Sequence, residues 1–204
     1  TVLGPYGLTY GMGDALCVGG DYFNGTIDEV RIWNTALTQG QIQTEMNASR
    51  PQVTDGLVAY YPFNEGAFDN GMITQNATFD RGYAFDGVND LINLSDDSDF
   101  EFTDGAGTDK AFSVSAWINL KRDQAGMIVA KMNGNPYEWN FGYGANTTSI
   151  NTYKTDATAY IGRFAPYSFN TYGNQWHHVA MVYNGNEANS GFDFYHVRPT
   201  ILLR

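Results

Sequence analysis

Short runs in which apolar and polar residues alternate recur about every 8–15 residues along this chain. Thr26–Trp33, Leu57–Phe63, Ala84–Leu94, Phe112–Leu120, Met127–Lys131, Trp139–Tyr143, Trp176–Tyr183 and Phe192–Tyr195 all read as strands. Turn-forming stretches rich in Gly, Asn and Asp separate many of them, as at Asp96–Asp99, Asn133–Pro136, Gly144–Thr148 and Asn184–Gly191. Strands this short and this regularly spaced bury one face each and pack as two antiparallel sheets. Composition agrees: charged residues make up 16% where about 25% is usual, and 14 Tyr, 13 Phe and 23 Gly suit strands joined by many turns. The expected class is all-β, with Trp33, Trp117 and Trp176 in the core.

One segment breaks the pattern. Ala36–Met46 places Leu37, Ile42 and Met46 at helical spacing, and Thr38 with Gln41 reads as a capping box, which predicts one short helix. The alternative is a surface turn, because Gly40 inside the segment costs about 1 kcal/mol relative to Ala. Asn47–Gly56 then reads as a linker, with Pro51 unable to continue a helix and Asp55-Gly56 supplying a turn. At the far end, residues 196–204 lose both the alternation and the Gly/Asn turn style and add two Arg. They read as an atypical tail, either foreign to the protein or a basic strand.

Length and charge narrow the function. A chain of 204 residues buries a sizeable core without disulfides or metal. Eleven basic against 22 acidic residues give a net charge of −11, which repels nucleic acid and anionic lipid. The single cysteine, Cys17, excludes an intrachain disulfide framework and a cysteine-based zinc cluster. No run approaches the ~20 apolar residues of a membrane helix, so no membrane insertion is expected. The chain opens on Thr1 rather than Met, and the expectation is that the gene product starts further upstream.

Three sets of residues carry a resemblance. FNGTIDEVRIWNTALTQGQI (Phe23–Ile42) resembles the closing strand and helix of laminin G-like domains, members of the concanavalin A-like lectin/glucanase jelly rolls. GLVAYYPFNEG (Gly56–Gly66) and YAFDGVNDLINL (Tyr83–Leu94) resemble the opening strands of that domain. FSVSAWINL (Phe112–Leu120) and WHHVAMVYNG (Trp176–Gly185) resemble its middle. The order is inverted, with the end of the domain before its beginning. Residues 1–50 thus resemble the C-terminal third of such a domain and residues 51–195 its N-terminal two-thirds, as in a window cut from a tandem array. The resemblance implies one circularly permuted, two-sheet antiparallel jelly roll, with Glu29–Trp33 paired beside Leu57–Phe63. The rival is a domain-swapped dimer in which residues 1–50 complete a neighbouring chain.

The same resemblance implies candidate sites. Related jelly rolls hold a structural calcium between the closing and opening strands, at positions matching Asp28, Glu65 and Gly66, with Asp86 as a further ligand. Pentraxin-like relatives bind calcium and ligand together on the rim, which points to Asp21 facing Asn133 or Asn135. Ca²⁺ collects carboxylate, amide and backbone oxygens in this way, but Asp28 and Asp86 read equally as turn caps. Sugar recognition needs exposed aromatics and amides. Tyr137, Trp139, Tyr143, Tyr167 and Tyr172 crowd the Asn-rich stretch, and Asn133, Asn135, Tyr137 and Trp139 are the expected ligand residues, although Trp139 alternates with Phe141 and Tyr143 as core residues do.

Catalysis is not expected. Enzymatic relatives carry E-x-D-x-x-E on one strand, and this chain has no such segment. Asp28 and Glu29 are adjacent in a strand and so face opposite ways; His177 and His178 read as packing residues. The expected function is a non-catalytic, secreted or cell-surface recognition module of bacterial origin, adhesive or carbohydrate-binding, whose partner is a glycan or an extracellular protein. A structural spacer without its own ligand is the alternative, and a polysaccharide-degrading enzyme is a remote one.

Overall fold

The computed structural model describes residues 15–20, 22–63, 73–75, 78–79, 82–94, 98–102, 109–121, 125–132, 137–144, 147–153, 160–165, 174–186 and 188–197. Its strands are β1 (Ala15–Val18), β2 (Asn24–Trp33), β3 (Leu57–Tyr61), β4 (Ile73–Gln75), β5 (Thr78–Phe79), β6 (Tyr83–Asp86) and β7 (Leu91–Asn93). They continue as β8 (Phe112–Leu120), β9 (Gly126–Met132), β10 (Tyr137–Gly144), β11 (Thr147–Tyr153), β12 (Tyr160–Ala165), β13 (Trp176–Tyr183) and β14 (Phe192–Val197). One sheet runs β12-β11-β10-β9-β1-β7-β4; the other runs β14-β13-β8-β2-β6-β5, with β3 also on β2. The pairings within both sheets are antiparallel, and the architecture is a jelly-roll sandwich.

β2 organises the second sheet. One of its edges pairs with β8, while the other is shared end to end by β6 (Asn24 opposite Asp86) and β3 (Val30 opposite Tyr61). The register against β8 shifts between Asp28 and Arg31, where Glu29 takes φ +52°. That bulge inserts an extra residue, so Ile27 and Val30, three apart, both enter the core, while Arg31 and Trp33 leave it on the opposite face. Between the sheets the core is aromatic: Phe112 lies 4.6 Å from Phe102, 5.1 Å from Trp139 and 5.8 Å from Tyr183 between ring centroids.

One α-helix among the described residues, α1 (Gln39–Met46), covers the outer face of this sheet. Thr38 caps it as the sequence predicts: its Oγ1 accepts from the Gln41 N–H, and the Gln41 side chain accepts from the Thr38 N–H at 2.8 Å. Gly40 is tolerated because tertiary packing outweighs its entropic cost. Leu37 and Ile42 pack with Trp33, Ala180 and Val182.

Beneath the helix lies a buried ionic network. Arg31, 1% exposed, donates to the Glu29 carboxylate at 2.6 Å and the Glu45 carboxylate at 3.0 Å. It also donates to the carbonyls of Glu45 and Ala48 at 2.7 and 2.9 Å, supplying the cation a helix C-terminus favours. The other Glu45 oxygen accepts the Gln52 and Val53 N–H groups, and the Trp33 indole donates to the Val53 carbonyl at 2.8 Å, so the 47–56 linker is tied down. From β3, the Tyr60 hydroxyl donates to Glu29 at 3.0 Å; burial and then the Glu29 charge push its pKa up to about 12, so it stays protonated.

Three expectations need correction. Ala84–Leu94 is not one strand: the chain turns at Gly87–Asn89 and crosses between sheets, β6 lying in one and β7 in the other. Trp176 is only half-buried, whereas Trp33 and Trp117 are buried. β14 continues through His196 and Val197, two residues into the segment read as a tail; residues 198–204 lie outside the described residues.

Two expected outcomes follow. Glu45→Ala leaves Arg31 short of a partner and strips the linker of its acceptor, which should cost about 3–5 kcal/mol in urea unfolding. Trp33→Ala should cost about 3–5 kcal/mol, and Trp176→Ala clearly less.

Candidate rim site

At one end of the sandwich the β1–β2 loop and the β6–β7 turn lie side by side. Gly19 takes φ +76°, and a Cβ there would run into the Phe85 ring, so the loop closes tightly on the core. Backbone bonds from Gly19 to Ile128 (3.1 Å) and from Met127 to Gly20 (3.0 Å) fasten it to β9. Phe23 turns inward, edge-on to Phe85 and Tyr143. Tyr22, just before it, takes φ +66° and stands 48% exposed. A non-glycine residue held in the left-handed region stores strain, and such strain gathers at functional sites.

Two residues after Tyr22, Asn24 is paired with Asp86 and its amide donates to the Asp86 carbonyl at 2.9 Å. The turn beyond is built by its own aspartates. The Val88 N–H donates to Asp86 Oδ1 at 2.7 Å, and the Asp86 N–H donates to Asp90 Oδ2 at 2.6 Å. Val88 is left 63% exposed, two residues past Asp86 as Tyr22 is two residues before Asn24. Among the described residues, Tyr22 and Val88 are the exposed large hydrophobic side chains. Asp90 is only 7% exposed, and its carboxyl pKa is raised chiefly by burial, with the Asp86 charge adding to it and the Asp86 N–H opposing it.

Of the residues expected to form sites, the described ones Asp28, Asp86 and Trp139 lie apart. Asp28 sits in the β2 bulge, where its Oδ1 accepts from the Glu29 N–H at 2.8 Å. Glu65, Asp21, Asn133 and Asn135 lie outside the described residues. Asp86 lies four register positions along β2 from Asp28, roughly 13 Å at strand rise, so the two do not share one ion. Tyr137 is on β10, opposite Met132. Trp139 corrects the expectation of a sugar platform: its ring is fully buried and its N–H donates to the Phe100 carbonyl at 3.0 Å. The signals for the rim were small ones, a Gly-Gly-Asp-Tyr run and a second aspartate four residues after Asp86.

A family model for laminin G-like domains of the concanavalin A-like lectin/glucanases superfamily matches residues 86–195, from the end of β6 into β14. The chain belongs to this family. No curated protein and no solved structure matches it. Laminin G-like domains are typically extracellular and generally non-catalytic, although the superfamily includes glycosidases. Among the described residues of this laminin G-like chain no helix is long and apolar enough to cross a membrane.

The two adjacent histidines of this laminin G-like sandwich are buried and point to opposite faces of β13. His178 packs edge-on to Trp117 outside the core, and burial, with the Arg31 charge second, lowers its pKa to about 3. His177 Nδ1 lies 2.8 Å from His196 Nε2, and burial, then His177, lowers His196 to about 4. Both depressed values act in one direction. Above pH ~6.5 the imidazoles are neutral in both states; below it the unfolded chain takes up protons that the folded one refuses, and stability falls until pH about 3–4. Between pH 7 and 5 His178 alone should remove about 2 kcal/mol. Urea unfolding of a His178→Phe variant should show a correspondingly shallower loss, and equal pH slopes would contradict this reading.

Proposed function

We propose that this chain is a non-catalytic recognition module of a secreted or cell-surface protein that binds a neutral glycan at the Tyr22 rim. The observation that carries the reading is Tyr22 itself, an aromatic 48% exposed at φ +66° and two residues before Asn24, whose amide is bonded to the end of β6 at Asp86. An aromatic face accepts the C–H side of a sugar ring, and amide and carboxylate groups bond its hydroxyls. A net charge of −11 disfavours acidic glycans. The loop bonds to β9 hold the rim preformed, which lowers the ordering cost of binding.

The module is taken as closing on its own chain, a reading supported by the hydrogen bonds that Glu45 and Trp33 make to the linker. Light scattering should then report a 22.6 kDa monomer, and a dimer would favour exchange of residues 1–50.

Screening on an array of neutral β-glucan, mannan, galactan and xylan oligosaccharides tests the function. Tyr22→Gly is the decisive variant, because it releases backbone strain while removing the ring. Affinity for the best array glycan should fall at least tenfold while the melting temperature holds or rises. A silent array would favour the spacer reading, and turnover of any oligosaccharide would overturn the non-catalytic one.

A further inference from the structure

On the outer face of the second sheet, beside the Arg31 network, four polar atoms are shut off from solvent and have no hydrogen-bond partner in the protein: Arg31 Nε, Ser115 Oγ, Trp117 Nε1 and His178 Nδ1. All four residues are more than nine-tenths buried. The register makes them neighbours. Ser115 lies opposite Arg31 between β8 and β2, Trp117 lies opposite His178 between β8 and β13, and Ser115 and Trp117, two apart on β8, share a face. The Trp117 and His178 rings meet edge-on with centroids 5.3 Å apart, and the Arg31 charge is felt at His178. Diagonal neighbours on a sheet face are within reach of long and aromatic side chains. Ser115 and Ala180, which are paired with each other, are small and leave room among the three large side chains. Arg31 spends its two terminal nitrogens on the Glu45 carbonyl and carboxylate and on the Glu29 carboxylate and Ala48 carbonyl, so Nε–H is the donor that remains.

We infer that one buried water molecule is bound here, accepting from Arg31 Nε–H and Trp117 Nε1–H and donating to Ser115 Oγ and His178 Nδ1. The donor and acceptor count selects water. A guanidinium Nε and an indole Nε1 can only donate, a hydroxyl oxygen accepts, and an imidazole Nδ1 accepts when the ring proton sits on Nε2. His178 is available in that neutral form, because burial first and the Arg31 charge second hold its pKa at about 3. Two donors and two acceptors are the full complement of a single water. An apolar neighbour would leave all four groups buried and unsatisfied, which is costly. An anion would satisfy the donors alone, and two carboxylates, Glu29 and Glu45, already face the one guanidinium. The bound water extends the Arg31 network, which joins β2, β3, the helix and the linker, to β8 and β13.

The test combines two spectra of the unmutated protein with one variant. Nitrogen-15 spectra of the histidines at neutral pH should show His178 with its proton on Nε2 and a bare Nδ1. Rotating-frame NMR should give a cross-peak between water and the Trp117 indole proton, of the sign that marks a bound water rather than chemical exchange. Oxygen-17 relaxation dispersion should count one long-lived water fewer in Ser115→Val, whose two methyl groups take up the space and remove an acceptor. If Ser115→Val does not fold, the two spectra of the unmutated protein decide. The inference is overturned if His178 carries its proton on Nδ1, if the Trp117 indole proton shows no bound-water contact, or if folded Ser115→Val keeps the full count. A Trp117 indole resonance that moves when chloride replaces sulfate in the buffer would overturn it in favour of a bound anion.

Discussion

The guanidinium of Arg31 is the point on which the two halves of this chain meet. It takes one carboxylate from its own strand and one from the helix, and through them it reaches β3 by Tyr60 and the linker by two backbone amides. Each contact makes sense only with the others present. A lone buried arginine is prohibitive, and an arginine with two carboxylates still needs donors for the surplus acceptor oxygens. The linker N–H groups and the tyrosine supply those donors. The network therefore acts as a locator more than as a source of stability, since a buried ion set can be replaced by apolar residues at little cost but cannot tolerate the loss of one member.

Much of the fold was readable because alternation survives in the strands that carry the core. Thr26–Trp33, Phe112–Leu120 and Trp176–Tyr183 appear in the structure nearly as their patterns indicate, and the Thr38–Gln41 box starts the helix. Other parts were opaque for physical reasons. β11, TTSINTY, has too few apolar residues to display a period, and β1 has only 4 residues. Ala84–Leu94 keeps its alternation across a turn because both flanking strands face the same core from opposite sheets, and periodicity does not see that crossing. Trp139 and Trp176 exchange roles for a similar reason: alternation says which side a residue faces and not how much lies over it.

The rim was the least readable part. Nothing in a residue list marks Tyr22 as strained or Asp90 as enclosed; both properties come from loops pinned to distant strands. Gly19 lets the chain close on Phe85, and the closure forces the next side chains alternately out and in. Local conformation at the rim is thus set by long-range packing, which ordinarily makes a surface rigid without making it apolar.

The strands contributed by residues 15–33 occupy interior places in both sheets: β1 lies between β9 and β7, and β2 between β8 and the β3/β6 edge. Neither sheet is continuous until residues far apart in the chain have met. Of the partners of β2, β3 follows within about 30 residues, whereas β8, like the β9 partner of β1, follows some 80–117 residues later, so one edge of each strand waits while the intervening chain is synthesised. The waiting segment includes IDEVRIW, in which alternating charges interrupt the apolar residues. Two of those charges, Glu29 and Arg31, end buried beneath the helix, so the edge they interrupt is covered once the fold has closed.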